Sequence, residues 1–124
     1  MSATMETFED ALADLKAMKG IRASAIITRD GLLVTGNVPP EMHVESFAAM
    51  AATMSSAAEV SMSELGQGIP KHVIAKSDDA RIITMGAGLK TLLVVIADPA
   101  TKLDPIIGKM KEAADKIKKA ASVT

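Results

Sequence analysis

The chain has 124 residues, 48% of them hydrophobic and 23% charged, with a net charge of −1. Those proportions describe a globular protein that can bury a proper core, not a disordered chain. The lack of cysteine excludes a disulfide scaffold, a thiol nucleophile and a Cys-ligated metal site, and near-neutral charge with two Phe, no Trp and no Tyr excludes a global basic field and a stacking platform for nucleic acid.

The first helix is predicted over residues 5–18. Phe8, Ala11, Leu12, Leu15 and Met18 recur at helical spacing, while Glu6, Glu9, Asp10 and Asp14 lie off that stripe, and Gly20 is placed to close the helix. Two strands follow, over 23–28 and 32–35. Asp30-Gly31 between them is a hairpin signal, because such a turn favours positive φ. Pro39-Pro40 then breaks the chain and can open a helix. That second helix is predicted over 41–65, closed by Gly66 and Gly68, and its stretch from Ser46 to Ala58 carries no charge. Three strands are read over 71–76, 81–85 and 91–97, separated by Ser77-Asp78-Asp79 and by Gly86-Ala87-Gly88. The last strand has no polar residue after Thr91, as expected of a central strand buried on both faces. A third helix starts at Asp104 as N-cap with Pro105 in the first helical position. Its apolar stripe is Ile106, Ile107, Met110, Ala113, Ala114, Ile117 and Ala121, with lysines opposite.

The order is thus α-β-β-α-β-β-β-α. Strands cluster as hairpins, so the fold class is α+β with a mainly antiparallel sheet, and residues 1–124 read as one domain. No apolar run reaches the length of a membrane helix and no leader pattern opens the sequence, so a cytoplasmic protein without membrane insertion is expected. Residues 1–64 hold nine acids and four bases, a net of −5, and residues 65–124 hold six acids and ten bases, a net of +4. The late lysines read as a solvated helix face rather than a nucleic-acid patch.

The second helix carries the functional argument. At about 100° per residue, Val44, Phe47, Ala51, Met54, Ala58, Met62 and Leu65 share one face, predicted to lie on the sheet. The reverse face carries Met42, Ser46, Ala49, Met50, Thr53, Ala57 and Val60, where a surface helix would place charge; Glu45 and Glu59 lie on a flank. A helix apolar nearly all round is covered on both sides, and a chain of this length has no spare element for the second. The same helix from a second copy is the simplest cover, because a two-fold pair reuses one self-complementary patch. Ala49, Thr53 and Ala57 permit close approach and Met50 fills gaps.

Sites for chemistry are not indicated. Met85-Gly86-Ala87-Gly88-Leu89-Lys90-Thr91 departs from a phosphate loop, since Leu89 separates Gly88 from Lys90 and a strand follows instead of a helix. His43 and His72 have no companion ligands, and His43-Val44-Glu45 lacks the cysteines of a zinc deaminase site. Glu9/Asp10 and Asp78/Asp79 fall at exposed positions, and Ser55-Ser56 has no adjacent base. No catalytic residue, cofactor or metal ligand is nominated.

Several segments together have a familiar order and spacing. They are Gly20-Ile21 before the first strand, Arg29-Asp30-Gly31-Leu32, Phe47-Ala48-Ala49-Met50, Glu64-Leu65-Gly66-Gln67-Gly68, and Leu93-Val94-Val95-Ile96-Ala97-Asp98-Pro99. In these the chain resembles the Roadblock/LC7 family over nearly its whole length. The resemblance implies a five-stranded antiparallel sheet between helices, the profilin-like arrangement also found in longin domains. It implies dimerisation through the second helix and the strand after it, here Lys71, His72, Val73, Ile74, Ala75 and Lys76, whose pairing would join two sheets. Lysines at both ends are also what a managed sheet edge carries. It further implies a non-enzymatic homodimeric adaptor that binds and regulates a Ras-like small GTPase. Such a dimer can act on the GTPase's own residues without an arginine finger, and none of Arg22, Arg29 and Arg81 is nominated as one. Glu45, Glu59 and Glu64 are candidate polar contacts around the partner surface. The alternatives are a scaffold subunit of a motility or trafficking assembly without a GTPase, and a small-ligand sensor, for which the sequence offers no polar-lined pocket.

Overall fold

A computed structural model describes residues 2–122 and reproduces the expected order: α1 (Ala3–Lys16), β1 (Ile21–Thr28), β2 (Leu33–Asn37), α2 (Val44–Glu64), β3 (His72–Lys76), β4 (Arg81–Gly86), β5 (Thr91–Ala97) and α3 (Leu103–Ser122). The five strands form one sheet in the order β2-β1-β5-β4-β3, with every neighbouring pair antiparallel. The central strand is β5, and Leu92, Leu93, Val94 and Val95 are all buried, as a strand covered on both faces requires. The two edges are β2 and β3.

Local chemistry sets the boundaries. Helix α1 begins two residues earlier than its periodicity predicts, because the Ser2 hydroxyl accepts a hydrogen bond from the Met5 N–H at 3.1 Å and caps it. It ends at Lys16, so Gly20 does not close it; the Gly20 carbonyl instead accepts the Asp98 N–H at 2.7 Å at the entry to β1. In the β1–β2 turn the Gly31 N–H donates to the Thr28 carbonyl at 3.0 Å, and the Leu32 N–H to the Thr28 hydroxyl at 2.9 Å. The Thr28 hydroxyl also bonds the Asp30 carboxylate. Gly31 alone takes positive φ there, +96°, so this is a longer loop with glycine at its bulge and not a two-residue Asp-Gly turn. Helix α3 starts at Leu103, one residue before the predicted cap, which leaves Asp104 and Pro105 within its first turn, where proline needs no N–H partner.

The core has two parts. On one face of the sheet, α1 and α3 cover Ile26, Ile83, Met85, Leu93 and Val95 with Phe8, Leu12, Leu15, Ile106, Met110 and Ile117. On the other, α2 covers Ala25, Ile27, Leu92 and Val94 with Ala48, Ala51 and Ala52. The buried stripe of α2 is therefore Ala48, Ala51, Ala52 and Ser55, rotated from the predicted stripe, of which only Ala51 is buried. Phe47, Met54, Ala58 and Met62 are half-buried on the flank, and Leu65 is exposed. Small side chains take the inward position, and the α2 backbone also passes close to the β1–β2 turn: a Cβ on Gly31 would sit 3.1 Å from the Ala49 Cα. Arg81, not nominated as a finger from sequence, is buried, and its two terminal nitrogens donate to the Thr101 and Pro99 carbonyls at 2.9 and 3.0 Å, tying β4 to the β5–α3 connection.

Candidate functional site

The inward stripe of α2 is narrow, so the opposite side of the helix is left outside. Ser46, Met50, Thr53, Ala57 and Val60 are exposed there and Ala49 half-exposed, whereas Met42 falls outside the helix, which starts at Val44 and not at 41 because the Met42 N–H closes a turn on the Pro39 carbonyl at 3.1 Å. Met50 and Val60, nearly three turns apart on this side of the helix, stand 64% and 58% open, so large apolar side chains face outward along its length. The reverse face read from sequence is thus the outer face of the folded chain. Thr53 and Ser61 return their hydroxyls to the Ala49 and Ala57 carbonyls at 2.9 Å, so they spend their polarity on the helix itself and present methyl and methylene groups outward.

The C-terminal half of α2 lies beside β3, and this strand is a sheet edge. It pairs with β4 on one side, His72 opposite Met85 through Lys76 opposite Arg81, and has no strand on the other among the described residues. Lys71 falls just outside the strand and is exposed, as are Ala75 and Lys76; His72, Val73 and Ile74 are half-buried. Ile74 and His72 share the face of Met85, towards α3, and Val73 and Ala75 that of α2. The helix exit adds further open apolar surface: Leu65 is 69% and Ile69 80% exposed, on either side of Gly66 and Gly68. From sequence the two glycines were read as the helix boundary and Leu65 as part of the sheet-facing stripe.

The three candidate carboxylates separate. Glu45 and Glu64 are exposed and lie at the two ends of α2. Glu59 turns towards the sheet side, where its Oε1 pairs with the Arg29 Nη1 at 2.7 Å. Arg29 also donates from Nε and Nη2 to the Gly88 carbonyl at 3.4 and 3.2 Å. One guanidinium thereby joins the β1–β2 turn, the β4–β5 turn and α2. No local sequence signal announces it, since Arg29 and Glu59 lie on separate elements; the flank assignment of Glu59 is the nearest hint. Arg22 donates to the Asp79 carbonyl at 2.7 Å.

The remaining expectations resolve simply. The glycine-rich segment is a hairpin turn closed by the Ala87 N–H on the Thr91 carbonyl at 2.9 Å. His43 precedes α2 without a side-chain cap bond and is exposed. Among the described residues no three His, Asp or Glu side chains gather to hold a metal, and no helix is long and apolar enough to cross a membrane.

Relatives with this arrangement are known. A family profile for the Roadblock/LC7 domain matches residues 7–97. The chain is 33% identical over 107 residues to the uncharacterized protein MJ0310 of Methanocaldococcus jannaschii, covering 86% of this chain and 93% of that one. Among solved structures, the gliding protein MglB of Thermus thermophilus superposes with a TM-score of 0.90 at 19% identity, over 100% of this chain and 95% of MglB. A Roadblock/LC7 domain from Streptomyces avermitilis follows with 0.84 at 17% identity, over 92% and 96%. A fission-yeast profilin shares the fold more loosely, with 0.62 at 16% identity, over 91% and 94%. With its five-stranded antiparallel sheet, one alanine-seated helix on one face and two helices on the other, the chain belongs to the Roadblock/LC7 family.

Proposed function

We propose that this protein is a homodimeric adaptor, without catalysis of its own, that binds and regulates a Ras-like small GTPase. One observation carries the reading: α2 touches the sheet through alanines and a serine and leaves Met50, Val60 and the uncharged face between them open, directly beside the free edge of β3. Two copies meeting about a two-fold axis would bury that face against itself and pair β3 with β3, giving one continuous sheet. Met42, Ser46, Ala49, Met50, Thr53, Ala57, Val60 and the segment Lys71 to Lys76 form this interface. Glu45 and Glu64, exposed at the ends of α2, are left to meet the partner protein, whereas Glu59 is already engaged by Arg29. Family membership supports the GTPase as partner.

The test has two parts. Met50→Glu and Ala57→Glu place a charge in the interface and should give a monomer that keeps its circular dichroism. Immobilised wild type should capture a small GTPase from the same organism in a nucleotide-dependent manner, comparing GTP- and GDP-loaded forms. Capture that ignores the nucleotide, or that brings down large subunits and no GTPase, would replace this reading with the scaffold one. The scaffold reading has its own support: once β3 is paired, β2 remains a free edge at each end of the joined sheet.

A further inference from the structure

Beneath the inner side of α2 lies a cavity of about 280 Å³, between Ser55 and Glu59 of the helix, Val73 of β3, and Thr84 and Gly86 of β4, with Arg29 at one side. Ile69 and Lys71, both exposed, stand at its rim. Thr84 is 1% exposed, and its hydroxyl has no hydrogen-bond partner. A buried hydroxyl left alone is costly, so an occupant that bonds it is stabilising.

The neighbouring charges are also incompletely used. Arg29 commits three of its five N–H groups, one to Glu59 and two to the Gly88 carbonyl, which leaves one on each terminal nitrogen. Glu59 commits Oε1 alone, and Oε2 has no partner among the described residues. The guanidinium is held in place by an absence: a Cβ on Gly86 would come within 2.9 Å of Arg29 Nη2. Ser55 is buried on the helix side. A ligand with only a negative charge would face Glu59, and one with only a positive charge would face Arg29. A ligand that carries both matches the pair. Lys71 adds a positive charge at the mouth, but it is exposed and screened by solvent.

We propose that this cavity binds a small zwitterion. Its carboxylate accepts from the free Arg29 N–H groups and the Thr84 hydroxyl, and its ammonium donates to Glu59 Oε2. Ser55 and Thr84 lie on the sheet side of α2, whereas Lys71 and Val73 belong to the segment that the proposed dimer would pair, so the site borders that interface.

The experiment is an NMR titration of the ¹⁵N-labelled full chain with free glycine, alongside sodium acetate and methylammonium chloride at matched ionic strength. Glycine alone should give saturable shifts centred on the Ser55, Thr84 and Gly86 amides. Thr84→Val should keep the fold and bind roughly tenfold or more weakly, as expected for one lost hydrogen bond to a charged group. Glu59→Gln should weaken binding similarly and serves as the second variant. The proposal is overturned if wild type shows no saturable shift, if acetate or methylammonium alone reproduces it, or if both variants bind glycine as wild type does.

Discussion

The face of the sheet beneath α1 and α3 is closed by Phe8, Leu12, Leu15, Ile106, Met110 and Ile117, whereas the face beneath α2 is closed by Ala48, Ala51 and Ala52. The first side is a filled core in which large side chains interlock. The second is a thin seat: the helix lies close, buries little per residue, and keeps its larger apolar groups, Met50 and Val60, on the outside. The first side finishes its business within one chain. The second leaves a helix whose outer surface still exposes apolar area, and it is the side of the proposed interface, the Arg29–Glu59 pair and the polar cavity.

Mutations can break or sharpen this contrast. The largest effect belongs to the filled side: Leu93→Ala, at a position with no solvent access, should cost about 2–5 kcal/mol. Chemical denaturation followed by circular dichroism measures it, since the chain has no Trp or Tyr. On the thin side, Ala48→Leu should cost about 1–3 kcal/mol by overpacking, and should weaken self-association at the same time because it lifts the whole helix. If Ala48→Leu were neutral, the seat would not be close-fitting and the contrast would fail. A smaller effect follows from Arg29→Ala. The pair is about one-third exposed on each partner, so the loss should be at most about 1 kcal/mol. Faster amide exchange at both the 86–91 turn and the C-terminal half of α2 would identify the guanidinium as their common tether.

The smallest effect concerns the filled side's surface. Lys116 donates to the Asp14 carboxylate at 3.0 Å across α1 and α3. The hydrogen bond from Lys116, and then its charge, holds the Asp14 carboxyl below its ordinary range, and the same contacts hold the Lys116 ammonium above its own. The pair's contribution is therefore complete at neutral pH. It is lost in acid as pH falls through the lowered Asp14 value, and in strong alkali as pH rises through the raised Lys116 value. Both groups are solvent-exposed, so the effect is slight and fades with salt. Asp14→Asn should abolish this pair's share of the acid loss and leave the fold at neutral pH unchanged, as read from thermal melts across pH.

How much of this the sequence discloses follows from how local each cause is. The uninterrupted run of β5 and the Asp30-Gly31 turn are local, and both elements are where they were predicted. The outer face of α2 was legible too, because thirteen uncharged residues are a strong departure from an ordinary surface helix. Its inner face was not. Hydrophobic spacing favours Met54, Met62 and Leu65, but closeness to the sheet favours Ala48, Ala52 and Ser55, and that selection depends on the other layer. The Arg29–Glu59 pair and the Arg81 bonds join residues of separate elements, so no window along the chain contains them. The cavity left one trace: Thr84 is a single polar residue inside the apolar run of β4, and it lines the polar pocket that the ligand-sensor alternative lacked.

Light scattering on the wild-type chain, followed down a dilution series next to Met50→Glu, tests the shelter of α2 most directly. The expected result is a wild-type mass twice the 12.9 kDa of one chain and a variant mass equal to it. A wild type that stays at the single-chain mass throughout, stably folded with Met50 and Val60 in water, would contradict the account.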